Sequence, residues 1–556
     1  MTKIVVIGGG AAGLKAAARA RRRDEEAEIT VIEAGEYPSM SRCGLPYYIE
    51  GLVHEIENLL QTTYGAVRTP EFFKRVKNID VLTKTKAKRI DREKKVVEIE
   101  RNGSSDELPY DYLVIATGSK PARPQIPGID AEGVVHLHSA EDAEKIVEAW
   151  EDGAEEAVII GGGLIGMECA EALSRLDMKV TMVEIMDHIL PTLLDAEMAA
   201  LVKAHLKENG VEVLTGYRVE EIVTDGEAVS GVKIGEKVMP AQLVLIATGV
   251  RPNVELAKSA GLEIGETGAI KVNKYLQTSD PSIYAGGDCV ENIHILTGKP
   301  IYAPLGSTAN KHGRVMGDNV TGGKSTFPGV IGTTIFKVFD FTVARTGLTE
   351  KEARQLGYDV ITAIAPSPDR FHHYPGQKPI RVKIIADKSG KLLGAQAVGL
   401  GVVDKRIDVL ATAIQMGATI DDVANLDLAY APPFSMALDT VIVAANIARN
   451  KRDGLIESIS AEELRKKIES DEDFIILDVR TDEEAEKNPL EDRRVIHIPL
   501  DRLRESVDKL PKDREIFTVC QVGARGYEAA RFLIQKGFRA KMVEGGMAIL
   551  GVLVSR

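Results

Sequence analysis

The sequence predicts an α/β protein of several domains that holds two Rossmann-like units, and three observations carry that reading. A glycine-rich turn, GGGAAG, follows the apolar run KIVVI at the N-terminus, and a second, GGGLIG, follows AVII further along. Each turn leads into an alanine- or leucine-rich helical stretch and then another apolar strand. At 556 residues the chain also exceeds what one hydrophobic core usually serves, so roughly three or four domains are expected.

The first unit reads as strand KIVVIGG, helix AAGLKAAARARRR and strand EITVIEAG. Gly8, Gly10 and Gly13 set a GxGxxG turn around Ala11, whose backbone amides can meet a pyrophosphate at the helix N-terminus. Glu33 closes the second strand, where a ribose hydroxyl would sit. The second unit repeats the pattern with Gly161, Gly163 and Gly166, and its strand KVTMVE ends on Glu184. A carboxylate there accepts hydrogen bonds from a free ribose 2′-hydroxyl and repels a 2′-phosphate, and no basic residue follows closely in EIMDHIL. NADH is therefore expected ahead of NADPH.

Two strand-to-loop crossings come next: YDYLVIATGSKP, with Ala116, Thr117 and Gly118, and LVLIATGVRPN, with Ala247, Thr248 and Gly249. The stretch TSDPSIYAGGDC places Asp288 after two glycines at a strand end, where a carboxylate can hold a polyol hydroxyl. Taken in order, GxGxxG, ATG, GxGxxG, ATG and GGD resemble the two-dinucleotide flavoprotein disulfide reductases over roughly residues 1 to 330. The resemblance implies that the first fold and the GGD segment bind FAD and the second fold binds NADH. Ala11 and Thr308 join the FAD contacts, and Asp288 meets the ribityl chain. It further implies an FAD domain over 1–146 and 271–330, an NAD domain over 147–270, and an α+β dimerisation domain over 331–450 that makes a homodimer.

Bulk composition excludes several classes. Hydrophobic residues are 44% and charged residues 28%, which fits a folded protein. A net charge of −13 argues against nucleic acid bound by bulk electrostatics. The longest apolar runs fall well short of the ~20 residues that span a bilayer, and MTKIVVIGGG has no secretory pattern, so no membrane partner and a cytoplasmic location are expected. Four cysteines, at 43, 169, 289 and 520, are too scattered for a disulfide scaffold, and no metal motif is present. Cys169 and Cys289 sit in packed positions and read as structural.

Cys43 lies in PSMSRCGLPYYIEG, a turn flanked by Ser, Arg, Gly and Pro, unlike an apolar core site. A thiolate is the working species, and Arg42 beside it offers positive charge that would lower the thiol pKa. The segment SMSRCGLPYY resembles the coenzyme A disulfide reductases and their NADH-dependent persulfide reductase relatives, in which the cysteine forms a mixed disulfide with CoA. Many flavoprotein relatives carry a second cysteine five residues on; Tyr48 stands here, so the oxidised partner of Cys43 must come from outside or be an oxygen species. Where relatives carry Asn before the cysteine, this chain has Arg42. Lys15, Arg19 and Arg22 share one helix face and offer a stripe for the phosphates of CoA, with Arg68 a further candidate. Ser39 matches a substrate-contacting serine of that family. Tyr374, in HHYPG, and Tyr430, in DLAYAPPF, match tyrosines that reach the partner subunit's active site, where a phenol can hydrogen-bond a leaving thiolate.

After ARNKRDG, read as a charged linker, a separate α/β domain is expected over 454–556. LDVRTDEE, IHIPLDRL and EIFTVCQVGARGYEAARFL resemble the single-domain rhodanese fold, with Cys520 as its nucleophile. A strand ends at Cys520, and the following loop is expected to curl before a helix starting at YEAARFL, aiming amides at the sulfur while Arg525 adds charge.

Together these features point to an FAD enzyme that uses NADH to reduce CoA persulfide, CoA disulfide or polysulfide through Cys43, with Cys520 relaying sulfur. The second reading is an NADH oxidase or peroxidase that cycles Cys43 through sulfenic acid. Related peroxidases place a histidine in the first glycine turn, where this chain has Ala11 and Ala12. A third reading, from another class, is a non-catalytic redox sensor or sulfur carrier.

Overall fold

The computed structural model describes residues 1–470 and 472–554. The chain folds as the expected mixed α/β protein and divides into two compact units, Met1–Val183 with Arg218–Gly332, and Glu184–Tyr217 with the segment from Thr333 onward. Among the described residues no helix is long and apolar enough to cross a membrane.

In the first unit, five parallel strands run in the order Ile283–Ala285, Tyr112–Ile115, Lys3–Ile7, Glu28–Ile32 and Asp80–Leu82. The central strand is buried at Ile4, Val5, Val6 and Ile7, as a strand covered on both faces must be. Helix Ala11–Arg21 packs across this sheet against helix Gly306–Asn319. The approach is close because a Cβ on Gly313 or Gly317 would lie 2.6 Å from the Cβ of Lys15 or Arg19. The second glycine turn follows strand Glu156–Ile160, which lies between the parallel strands Lys179–Glu184 and Leu243–Ile246.

In the second unit, an antiparallel sheet runs in the order Thr334–Val338, Phe341–Gly347, Leu392–Gly399, Pro379–Asp387 and Val360–Pro368. On it, the buried ammonium of Lys383 meets three carboxylates, Asp195 at 2.9 Å, Glu197 at 2.5 Å and Glu350 at 2.7 Å. Removing that lysine would strand three desolvated anions, so the cluster ties helices Ala196–Glu208 and Glu350–Gln355 to the sheet.

The C-terminal region forms a parallel sheet in the order Ser458–Ile459, Arg539–Val543, Glu515–Val519, Ile475–Asp478 and Val495–His497. The stretch ARNKRDG is not the free linker its charges suggested: helix Thr440–Arg452 runs through most of it. Ala444, Ala445 and Ala448 bury one face of that helix, while Arg449 and Arg452 pair with Asp421 and Lys451 pairs with Glu544. Glu544 also accepts a 2.6 Å hydrogen bond from Ser458, so the C-terminal sheet is anchored to that helix.

Candidate active site

The two glycine turns are built alike. Gly8 and Gly161 stand at φ +108° and +112°, and a Cβ on either would strike the carbonyl oxygen of Ala116 at 2.1 Å or Ala247 at 2.5 Å. Gly10 and Gly163 cap helices Ala11–Arg21 and Leu164–Arg175 without a side chain, leaving their first-turn amides open. Gly118 and Gly249, with φ +69° and +97°, turn the chain out of the ATG crossings. Glu184 is buried at the end of its strand, and its Oε1 accepts a 2.8 Å bond from the Met186 amide.

A cavity of about 1290 Å³ opens over the first turn. Gly8, Gly10, Ala11, Glu33, Ala116, Thr117, Gly118 and Asp288 all line it. The Glu33 carboxylate accepts from the Gly9 and Gly35 amides at 2.7 and 2.8 Å, which fixes it at the strand end while lone pairs remain for a diol. Thr117 donates to the Asn253 carbonyl at 2.7 Å, holding the crossing in place. Asp288 accepts from Ser119 at 3.3 Å, and burial raises its carboxyl pKa. Behind it the Gly287 amide donates to Nδ1 of His312, whose ring makes a T-shaped contact with that of Phe327 at a centroid distance of 4.4 Å. Gly306 and Ala309 close this wall, whereas Thr308 is buried on the same helix and does not line the cavity.

Cys43 faces the same cavity from the short turn Arg42–Gly44 that precedes helix Leu45–Ile49. The residue is exposed, yet its surroundings partly desolvate the sulfur. Contrary to the expectation from Arg42, the thiol pKa is raised, first by burial and then by the carboxylates of Glu168 and Asp288. The Arg42 guanidinium, on the same cavity wall, lies with Nη1 2.9 Å from Nε2 of His138. Glu168, on the second nucleotide helix, is itself pushed up to about 7 by burial and by Glu171.

The basic stripe divides. Lys15 and Arg22 line the cavity, with Lys77 beside them, but Arg19 is drawn off by Asp318 on the packed helix at 2.5 Å. Arg68 lines the cavity too; it donates to the Leu60 and Gln61 carbonyls and, at 3.0 Å, to Ser39. Tyr374 and Tyr430 are exposed on two loops joined by a bond from the Phe371 amide to the Pro432 carbonyl, 3.3 Å.

Cys520 is fully buried at the end of strand Glu515–Val519. Its Sγ accepts a 3.1 Å bond from the Gly523 amide, and helix Ala524–Gln535 begins three residues earlier than the sequence reading placed it. Gly523 explains the shift: at φ +98° it completes the curl and caps the helix at once. Arg525 is held bidentately by Glu484 at 2.7 and 2.8 Å, so much of its charge is already met. The sequence gives no sign of His138, Glu168, His312 and Glu484, since only the fold brings them to Arg42, Cys43, Gly287 and Arg525 respectively.

Comparison with known proteins agrees with this layout. Residues 2–307 match the family model described as pyridine nucleotide-disulphide oxidoreductase, 333–442 match that family's dimerisation domain, and 460–548 match the rhodanese-like domain. A solved structure titled as an NAD-dependent persulfide reductase from A. fulgidus is 59% identical, with a TM-score of 0.95, covering 99% of this chain and all of its own. A Pyrococcus furiosus protein named NAD(P)H sulfur oxidoreductase (CoA-dependent) is 40% identical over 80% of this chain and 99% of its own length. A Methanocaldococcus jannaschii protein named NADH oxidase is 37% identical over 81% and 99%.

Proposed function

Because the chain belongs to the pyridine nucleotide-disulphide oxidoreductases and ends in a rhodanese-like domain, we propose that it is an FAD enzyme that uses NADH to reduce CoA persulfide, CoA disulfide or polysulfide. The observation that carries the reading is Cys43 set on the wall of one cavity with Glu33, Asp288 and the basic side chains Lys15 and Arg22. The glycine cradle and the Glu33 carboxylate suit FAD, with Gly8, Gly10, Ala11, Ala116, Thr117, Gly118 and Asp288 along it. Bound FAD supplies two-electron transfer from NADH to an oxidised cysteine. Gly161, Gly163, Gly166 and Gly249 suit the pyrophosphate of NADH, and Glu184 favours NADH over NADPH.

The residues divide the work. Cys43 attacks the substrate sulfur and holds CoA as a mixed disulfide. Lys15, Arg22 and Arg68 with Ser39 seat the CoA phosphates and pantetheine end, while Arg19, paired with Asp318, stands outside that seat. Tyr374 and Tyr430 serve the partner subunit of a homodimer, supported by the dimerisation domain and by their exposure. Cys520 takes sulfur from polysulfide and passes it on to CoA or Cys43. The same reading divides the chain into 1–146 with 271–330, 147–270, 331–450 and 454–556, in the cytoplasm.

The relative named NADH oxidase makes oxygen the competing acceptor. With NADH in excess, sulfide release from CoA persulfide should outrun oxygen uptake; oxygen uptake in the lead would overturn the proposal in favour of the oxidase.

A further inference from the structure

Resting on that reductase reading, we propose that Arg42 makes the Cys43 site selective for anionic sulfane sulfur, the persulfide of CoA or a polysulfide chain, over CoA disulfide, whose reacting S–S bond carries no charge. Arg42 precedes the nucleophile and lines the same cavity. Its Nη1 lies 2.9 Å from Nε2 of His138. That imidazole is neutral at physiological pH, since burial and then the Arg42 charge push its pKa down to about 4. Nε2 therefore accepts from the guanidinium. Among the described residues no carboxylate lies within 4.0 Å of the Arg42 guanidinium. Arg19 and Arg525, by contrast, are paired with Asp318 and Glu484, and Arg68 spends donors on backbone carbonyls.

Arg42 is thus a positive charge held by a neutral acceptor, near enough to act on the buried Asp288 carboxyl yet outside ion-pair distance of it, with donors left for a ligand. The rest of the field at Cys43 is negative, because Glu168 and Asp288 both act on the thiol. Without compensation those carboxylates would repel a substrate that carries charge on its terminal sulfur. A disulfide arrives with no charge at its reacting bond, and charge appears there only on the CoA thiolate that leaves, so its binding gains nothing from such a partner.

The Cys43 thiolate attacks the sulfur bonded to CoA, the persulfide S–S bond breaks, and the terminal sulfur departs with its electron pair and one solvent proton as HS⁻. Cys43–S–S–CoA remains. NADH then supplies two electrons and a proton, returning the Cys43 thiolate and CoA thiol with NAD⁺. Arg42 contacts the terminal sulfur as it arrives charged and as it leaves charged.

The test compares kcat/KM for CoA persulfide and CoA disulfide, anaerobically with NADH, in the flavin-loaded wild type and in Arg42→Met, Arg42→Gln and Arg42→Lys. A charge-assisted hydrogen bond to the substrate predicts that the persulfide-to-disulfide ratio falls about tenfold or more in the two neutral variants and stays within about threefold in the lysine variant. An unchanged ratio in either neutral variant that retains its flavin spectrum would overturn the inference, as would a lysine variant that loses as much as they do. A wild type that reduces neither substrate overturns the reductase reading itself, and the inference falls with it.

Discussion

A Cβ on Gly13 would lie 1.9 Å from the carbonyl oxygen of Gly8, just as one on Gly166 would lie 2.2 Å from that of Gly161. Each helix packs onto its own turn through a glycine, and the two turns are independent. Gly13→Ala should therefore cut flavin content on purification about tenfold or more while the second fold survives. Gly166→Ala should keep its flavin but slow flavin bleaching by NADH. Equal flavin loss in both variants would contradict the assignment of one nucleotide to each turn.

The thiol of Cys43 is raised by burial first and then by Glu168 and Asp288, and each negative charge disfavours the thiolate. Glu168→Gln removes one of them, so the pH profile of iodoacetamide alkylation should move to lower pH. Glu168 titrates at about 7, so the variant should differ most from wild type above that pH, where the native carboxylate is charged. A profile that stays in place or moves upward would show that Glu168 does not face the sulfur.

At the second cysteine, Glu484 does two things: it holds Arg525 and caps helix Asp482–Lys487 through the Thr481 amide at 2.9 Å. The Arg525 bonds pull its carboxyl down to about 2. A depressed carboxyl stabilises the fold above its unfolded pKa and loses that contribution as pH falls from about 4.5 toward 2. Glu484→Ala, which leaves no side-chain acceptor for the Thr481 amide, should make the amides of Asp482–Lys487 exchange about tenfold faster at neutral pH, as the loss of a cap predicts. Unchanged protection would mean that the cap and the Arg525 bond contribute nothing measurable.

What the sequence disclosed depended on how local the physics was. Gly8, Gly13, Gly161 and Gly166 were legible because backbone packed on backbone admits no Cβ, whatever lies elsewhere in the chain. Cys520 at a strand end was legible too, while Gly523 serving as loop and helix cap together moved the helix start. Long-range charge pairing was invisible. Arg19 meets Asp318 across 299 positions and Arg42 meets His138 across 96, so the basic stripe looked whole and Arg42 looked like a partner for the thiol. ARNKRDG read as a linker for the same reason: Asp421 and Glu544, which pair its charges, are distant in sequence.

The central claim is that Cys43 carries the reduction of sulfur, and the most direct measurement is anaerobic, NADH-dependent sulfide release from CoA persulfide by the flavin-loaded Cys43→Ser chain. NADH should still bleach the flavin, while sulfide release falls by about a thousandfold or more, as expected when a nucleophile is removed. Sulfide release that continues near the wild-type rate would contradict the account.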